Sequence, residues 1–96
     1  MPSFSQMKDM YRIQREAKRV KKELKSIHIE AEASGVHVVV TAEQEIVSIT
    51  IGEQVPRDQI AGLVKDALNR ALKKAQVVAA ERMQGVMQEM GMPTAE

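Results

Sequence analysis

The sequence has no cysteine and no tryptophan, and only one tyrosine and one phenylalanine. Without cysteine there is no disulfide framework, no thiolate zinc site and no cysteine nucleophile. With so few rings, base stacking and aromatic cages have almost nothing to build on. The longest strictly apolar run is four residues, Val77 to Ala80, far short of a membrane span. The start, Met1-Pro2-Ser3-Phe4-Ser5-Gln6, lacks the charged lead and apolar stretch of a signal peptide. A cytoplasmic location is therefore expected. The five glycines are scattered, so there is no phosphate-cradling loop, and no serine stands in a GxSxG-like setting.

What is present reads as one folded domain over residues 1–96, 44% hydrophobic and 28% charged. A chain this short buries only about two-thirds of its unfolded surface. Its own core should be thin, and a second copy is expected to complete it as a homodimer.

Residues 5–26 predict a helix. Met10, Ile13, Ala17, Val20, Leu24 and Ile27 recur in steps of three and four, the a and d seam of a heptad pattern. Ser3 or Ser5 is the expected cap. The period then changes to two across residues 27–51, and three short strands are expected as an antiparallel meander. Ile27, Ile29, Ala31 and Ala33 alternate with His28, Glu30 and Glu32; Ser34-Gly35 signals a turn; Val36 to Thr41 follows; Glu43-Gln44-Glu45 connects to Ile46 through Ile51. The inward set is expected to be Ile27/Ile29/Ala31, Val36/Val38/Val40 and Val47/Ile49/Ile51, with Val39 and Ile46 on the other face. Residues 57–89 predict a second helix, opened by Pro56 with Asp58 as cap. Its wide apolar stripe runs from Ile60 through Leu63, Val64, Ala67, Leu68, Ala71, Leu72, Ala75 and Val78 to Ala79, the width needed to pack on a sheet. Gly62 interrupts that stripe at a cost of about 1 kcal/mol. Residues 90–96 form a tail. The fold class is α+β, in the order α-β-β-β-α.

Catalytic chemistry has no foothold. His28 and His37 with Glu30 and Glu32 are the nearest approach to a metal site, but no fixed spacing or further ligand supports one. They read as solvated strand residues. No enzymatic activity, cofactor, metal or small-molecule substrate is expected. Met83, Met87 and Met90 have helical spacing and read as packing residues, with a partner subunit as one candidate for what they pack against.

Charge is where the sequence is specific. Residues 8–25 hold eight basic and three acidic residues, while the rest of the chain holds six basic and ten acidic. On the heptad, Asp9, Glu16 and Glu23 all fall at g. Lys8, Arg15 and Lys22 fall at f, Arg12 and Arg19 at c, Lys18 and Lys25 at b, and only Lys21, at e, lies beside the seam. The b/c/f face is thus basic with no acid on it. Lys8–Arg12, Arg15–Arg19, Lys18–Lys22 and Lys21–Lys25 are like-charge pairs one turn apart, each costing a few tenths of a kcal/mol by the usual ~0.2–0.5 kcal/mol scale. A merely solubilising face would be better served by mixed signs. A polyanion is the expected ligand, and duplex nucleic acid, contacted through its backbone, fits a rigid basic helix without aromatics. An anionic membrane fits less well, because the apolar side lacks interfacial Trp or Phe.

The chain also resembles a known family. The basic helix from Met7-Lys8-Asp9-Met10 to Lys25, the Ser34-Gly35 turn, the strand Val47-Ser48-Ile49-Thr50-Ile51, the stretch Ala67-Leu68-Asn69-Arg70-Ala71 and the end Met90-Gly91-Met92-Pro93 resemble the YbaB/EbfC nucleoid-associated proteins over nearly the whole length. It departs from that family at Glu43-Gln44-Glu45, where the family carries Gly or Asn-Gly, and in lacking a Gly/Lys-rich lead. The resemblance implies a tweezer-like homodimer that binds double-stranded DNA with little sequence preference and associates with the nucleoid. The residues assigned to DNA, from the charge pattern, are Lys8, Arg12, Arg15, Lys18, Arg19, Lys22 and Lys25. The competing reading is a dimeric adaptor whose seam and methionine-rich end bind another protein, the basic face serving only solubility.

Overall fold

The computed structural model describes residues 4–89. Helix α1 runs Phe4–Ser26, strands β1, β2 and β3 run His28–Ala33, Val36–Thr41 and Ile46–Ile51, and helix α2 runs Ile60–Glu89 after a 3-10 turn at Arg57–Gln59. The α-β-β-β-α order expected from the periodicities is the observed one. The strands form one antiparallel sheet in the order β1-β2-β3.

The β1–β2 hairpin closes at Ser34 and Gly35, both at positive φ (42° and 93°), the sign pattern of a type I′ turn, whose twist matches the flanking strands. A Cβ on Gly35 would lie 2.9 Å from a methyl of Val55, so both the backbone and the packing call for glycine there. Asp58 does not cap the second helix. It falls inside the 3-10 turn, whose start at Pro56 has no side-chain cap. Ser5 lies within α1, and Ser3, like residues 90–96, lies outside the described residues.

The core sits between α2 and the first two strands. Ala67, Ala71 and Ala75, one turn apart, are fully buried, as are Val36, Val38 and Val40. Small side chains on the helix let its backbone approach the valines closely. Each buried Val contributes on the order of 1.5–3 kcal/mol. On β1, Ile29, Ala31 and Ala33 are buried and Ile27 is half-buried, and Val20 and Leu24 of α1 join the same cluster.

On β3 the expected inward set is met only in part: Ile49 and Ile51 share the α2 side with Val38 and Val36, but no residue of the strand is buried. All six of its residues are exposed, because α2 packs chiefly on β1 and β2. A bulge between Val39 and Val40 also shifts the register, so that Ile46, not Val47, pairs with Val40. Ile46 therefore shares the α2 side with Ile49 and Ile51, contrary to strict alternation. Val39 lies on the other face, as expected, paired with Glu30 and Ser48.

Helix α2 is not confined to the sheet. Its later part runs on beside α1, where Glu81, Arg82, Gly85 and Val86 line a groove with Arg19, Val20 and Glu23. The two helices make an arm, and the molecule measures 63 × 25 × 21 Å.

Candidate nucleic-acid interface

The seam of α1 fades along its length. Val20 and Leu24 are buried, Ile13 and Ala17 half-buried, and Met7 and Met10 exposed. The body therefore grips only the C-terminal part of the helix. The remainder projects, and its basic face stands clear of the sheet. Lys8, Arg12, Arg15, Lys18, Arg19, Lys22 and Lys25 are all exposed. The structure thus brings the seven expected residues onto one side of one helix.

Their surroundings differ. Arg19 pairs with Glu16 at 2.6 Å, one residue closer in sequence than the Arg19–Glu23 pairing that the i,i+4 rule suggests. Lys25 lies 3.8 Å from Glu43 Oε2, and Lys21 lies 3.5 Å from Glu43 Oε1. Among the described residues, Arg12, Arg15, Lys18 and Lys22 have no carboxylate within ion-pair distance. They form the open centre of the face. From residue 12 to residue 22 the helix rises about 15 Å, a length over which duplex DNA carries about nine charges. Four cations there can neutralise close to half of them. Tyr11, on the same face, is exposed, but one ring is no stacking platform.

The cations of α2 are placed differently. Arg70 donates to the Glu32 carbonyl at 3.0 Å and Lys74 to the Glu30 carbonyl at 3.3 Å. Both carbonyls lie on the outer edge of β1, so these side chains cover that edge and are not part of the α1 face. Among the described residues the opposite edge, β3, has no such cover. Its Ile46, Val47, Ile49 and Ile51 are 42–53% exposed beside an open row of backbone donors and acceptors.

His37 and His28 do share a sheet face with Glu30 and Glu32, and His37 Nε2 is 3.7 Å from Glu30 Oε1. Among the described residues no three His, Asp or Glu side chains converge as metal ligands. No helix of the described residues is long and apolar enough to cross a membrane.

Glu43 was not among the expected site residues. Two signals pointed to it: an acidic turn, and a Lys21–Lys25 like-charge pair with no acid on its own helix to relieve it. Their convergence is a contact between segments about twenty residues apart, which local pattern does not reveal.

Comparison with known proteins agrees with this geometry. The model of the YbaB/EbfC DNA-binding family matches residues 1–90. A nucleoid-associated protein of Acinetobacter baumannii is 35% identical over 81 residues, covering 79% of this chain and 74% of the relative. A nucleoid-associated protein of Syntrophobacter fumaroxidans is 32% identical over 96 residues, covering 94% and 87%. The crystal structure of an uncharacterized protein from Helicobacter pylori has the same fold, with a TM-score of 0.71 at 17% identity, covering 94% of this chain and 98% of that one.

Proposed function

The chain belongs to the YbaB/EbfC DNA-binding family, and from that premise we propose that it binds double-stranded DNA as a homodimer, through the basic face of α1, with little sequence preference. The observation that carries this reading is a projecting helix whose Arg12, Arg15, Lys18 and Lys22 are exposed and have no carboxylate in reach among the described residues. Lys8 and Arg19 flank them, while Lys25, beside Glu43, stands at the root of the helix outside this group.

The mechanism is counterion release. Each phosphate neutralised by a fixed cation frees condensed counterions, and the gain depends on salt rather than on base sequence. The residues with the reach to read base edges are long, flexible and arrayed for phosphates; among the described residues there is no recognition helix paired with a turn. Association with the nucleoid follows from such binding, and it agrees with the names of the relatives. Neither an enzymatic step nor a cofactor enters this reading.

Dimerisation is supported by β3. An edge strand with four exposed aliphatic side chains is the pairing hazard that soluble proteins normally avoid. Here the other edge is covered by Arg70 and Lys74, so a second copy is directed to β3. Two copies also supply two arms.

Exposed Met7 and Met10 on α1 and Met83 and Met87 on α2 favour a second reading, an adaptor whose arm binds a protein. Retention of duplexes separates the two. Gel shifts with several unrelated duplexes of equal length should give dissociation constants within about threefold of one another, against the factor of 10³ or more by which sequence-reading proteins discriminate. Failure to shift any duplex at low salt would leave the adaptor reading in place.

A further inference from the structure

Glu43 occupies a turn that is tightly built. Thr41 is buried, and its Oγ1 accepts the N–H groups of both Glu43 and Glu45 at 3.2 Å. The Thr41 N–H donates to the Glu45 carbonyl at 2.8 Å, and the Gln44 N–H to the Thr41 carbonyl at 2.9 Å. Gln44 takes the left-handed conformation, φ 68°, which closes the turn. The Glu43 backbone is thereby fixed, and its side chain, 17% exposed, is held against α1.

The carboxylate faces two lysines one helical turn apart. Its Oε1 is 3.5 Å from Lys21 Nζ and its Oε2 3.8 Å from Lys25 Nζ, with the two lysine side chains 68% and 56% exposed. Oε2 is shut off from solvent and has no hydrogen-bond partner in the structure, so the lysine charges are its compensation. On the lysine side the pairs are exposed and loose, a geometry that adds little to stability. What the arrangement does change is the charge that the helix root presents. Lys25 stands on the same helical line as Lys18, toward the basic face, yet it has beside it a carboxylate from another segment of the chain, which Arg12, Arg15, Lys18 and Lys22 lack among the described residues.

We propose that Glu43 limits the DNA footprint of α1 by engaging Lys21 and Lys25, so that phosphate binding stops near Lys22. The proposal builds on the DNA reading above. A phosphate brought to Lys25 must either displace Glu43, leaving a poorly solvated carboxylate, or sit beside it at like charge. Both are unfavourable, and the footprint ends where the carboxylate begins.

The test is the salt dependence of binding to a random duplex for Glu43→Gln, Glu45→Gln, Lys25→Gln and the Glu43→Gln/Lys25→Gln pair. Glu43→Gln should steepen the slope of log affinity against log salt by about 0.9 per helix engaged and tighten binding about eightfold at 0.1 M salt, the worth of one added phosphate. Glu45→Gln removes the same charge from the same turn without touching a lysine, and should change affinity by less than about twofold, as expected of a distant screened charge. Lys25→Gln alone should leave the slope unchanged, and in the double variant it should return the slope to the wild-type value. Because Lys25→Gln leaves the turn intact, it remains decisive even if Glu43→Gln disturbs folding. A flatter slope in Lys25→Gln alone, or an unchanged slope in a folded Glu43→Gln, overturns the proposal. A wild-type slope near zero would remove the DNA reading first, and this proposal with it.

Discussion

Replacing Arg15, Lys18 and Lys22 together by Gln should weaken binding to every duplex alike, by up to about 500-fold at 0.1 M salt for each helix engaged. The figure follows from losing three phosphate contacts at about 0.9 units of log affinity per decade of salt each. The fold should be untouched. All three side chains are exposed and away from the seam, and the variant relieves the Arg15–Arg19 and Lys18–Lys22 repulsions, which favours the helix by a few tenths of a kcal/mol on the ~0.2–0.5 kcal/mol scale. Circular dichroism and thermal melting should therefore match wild type while gel shifts do not. A protein reading base edges would respond differently, losing discrimination at particular positions rather than affinity everywhere. A folded triple variant that binds as tightly as wild type would move the site off α1.

If the proposed homodimer closes through β3, Ile49→Asp should leave a monomer and cost about 10²- to 10⁴-fold in DNA affinity, the usual worth of bivalency. Ile49 is 42% exposed in the protomer, so the protomer tolerates Asp at the modest cost of a poor strand former, within about 1 kcal/mol. In a dimer closed through β3 the same change buries two unpaired carboxylates, one from each copy, and each is far too costly to hide. Light scattering should report a 10.7 kDa species, and the salt slope should fall to half. A variant that remains dimeric would place the subunit contact elsewhere, with the exposed methionines of the arm next in line.

The elements were legible because period alone distinguishes them. Heptad steps from Met10 to Ile27, alternation from Ile27 to Ala33 and the four-residue steps of Ala67, Ala71 and Ala75 each fix an element and its apolar side. What period does not carry is what lies above that side. Ile49 and Ile51 pattern like buried residues, and they do share a face with Val36 and Val38, but α2 packs chiefly on β1 and β2. The bulge at Val39/Val40 was equally silent, since one extra residue changes Ile46's partner without changing composition. Asp58 looked like a cap because its type and place suited one; the chain instead enters α2 through a 3-10 turn.

The site was legible in part for a related reason. A helix fixes angular position from sequence number, so the b/c/f assignment put seven cations on one side, and all seven are exposed there. Sequence number does not say which acid of another segment comes to meet them. Glu43, about twenty residues from Lys21 and Lys25, arrives through the hairpin turns, and Arg70 and Lys74 leave the pool of available cations only because the sheet edge lies beneath them.

Log affinity of the wild-type protein for a random duplex, titrated against log salt between about 0.05 and 0.3 M, should fall on a straight line. With four phosphates neutralised by Arg12, Arg15, Lys18 and Lys22, its slope should be about −3.6 for one engaged helix and about twice that when both arms bind. Affinity independent of salt, or no retention of the duplex at the lowest salt, would contradict DNA binding by the α1 face.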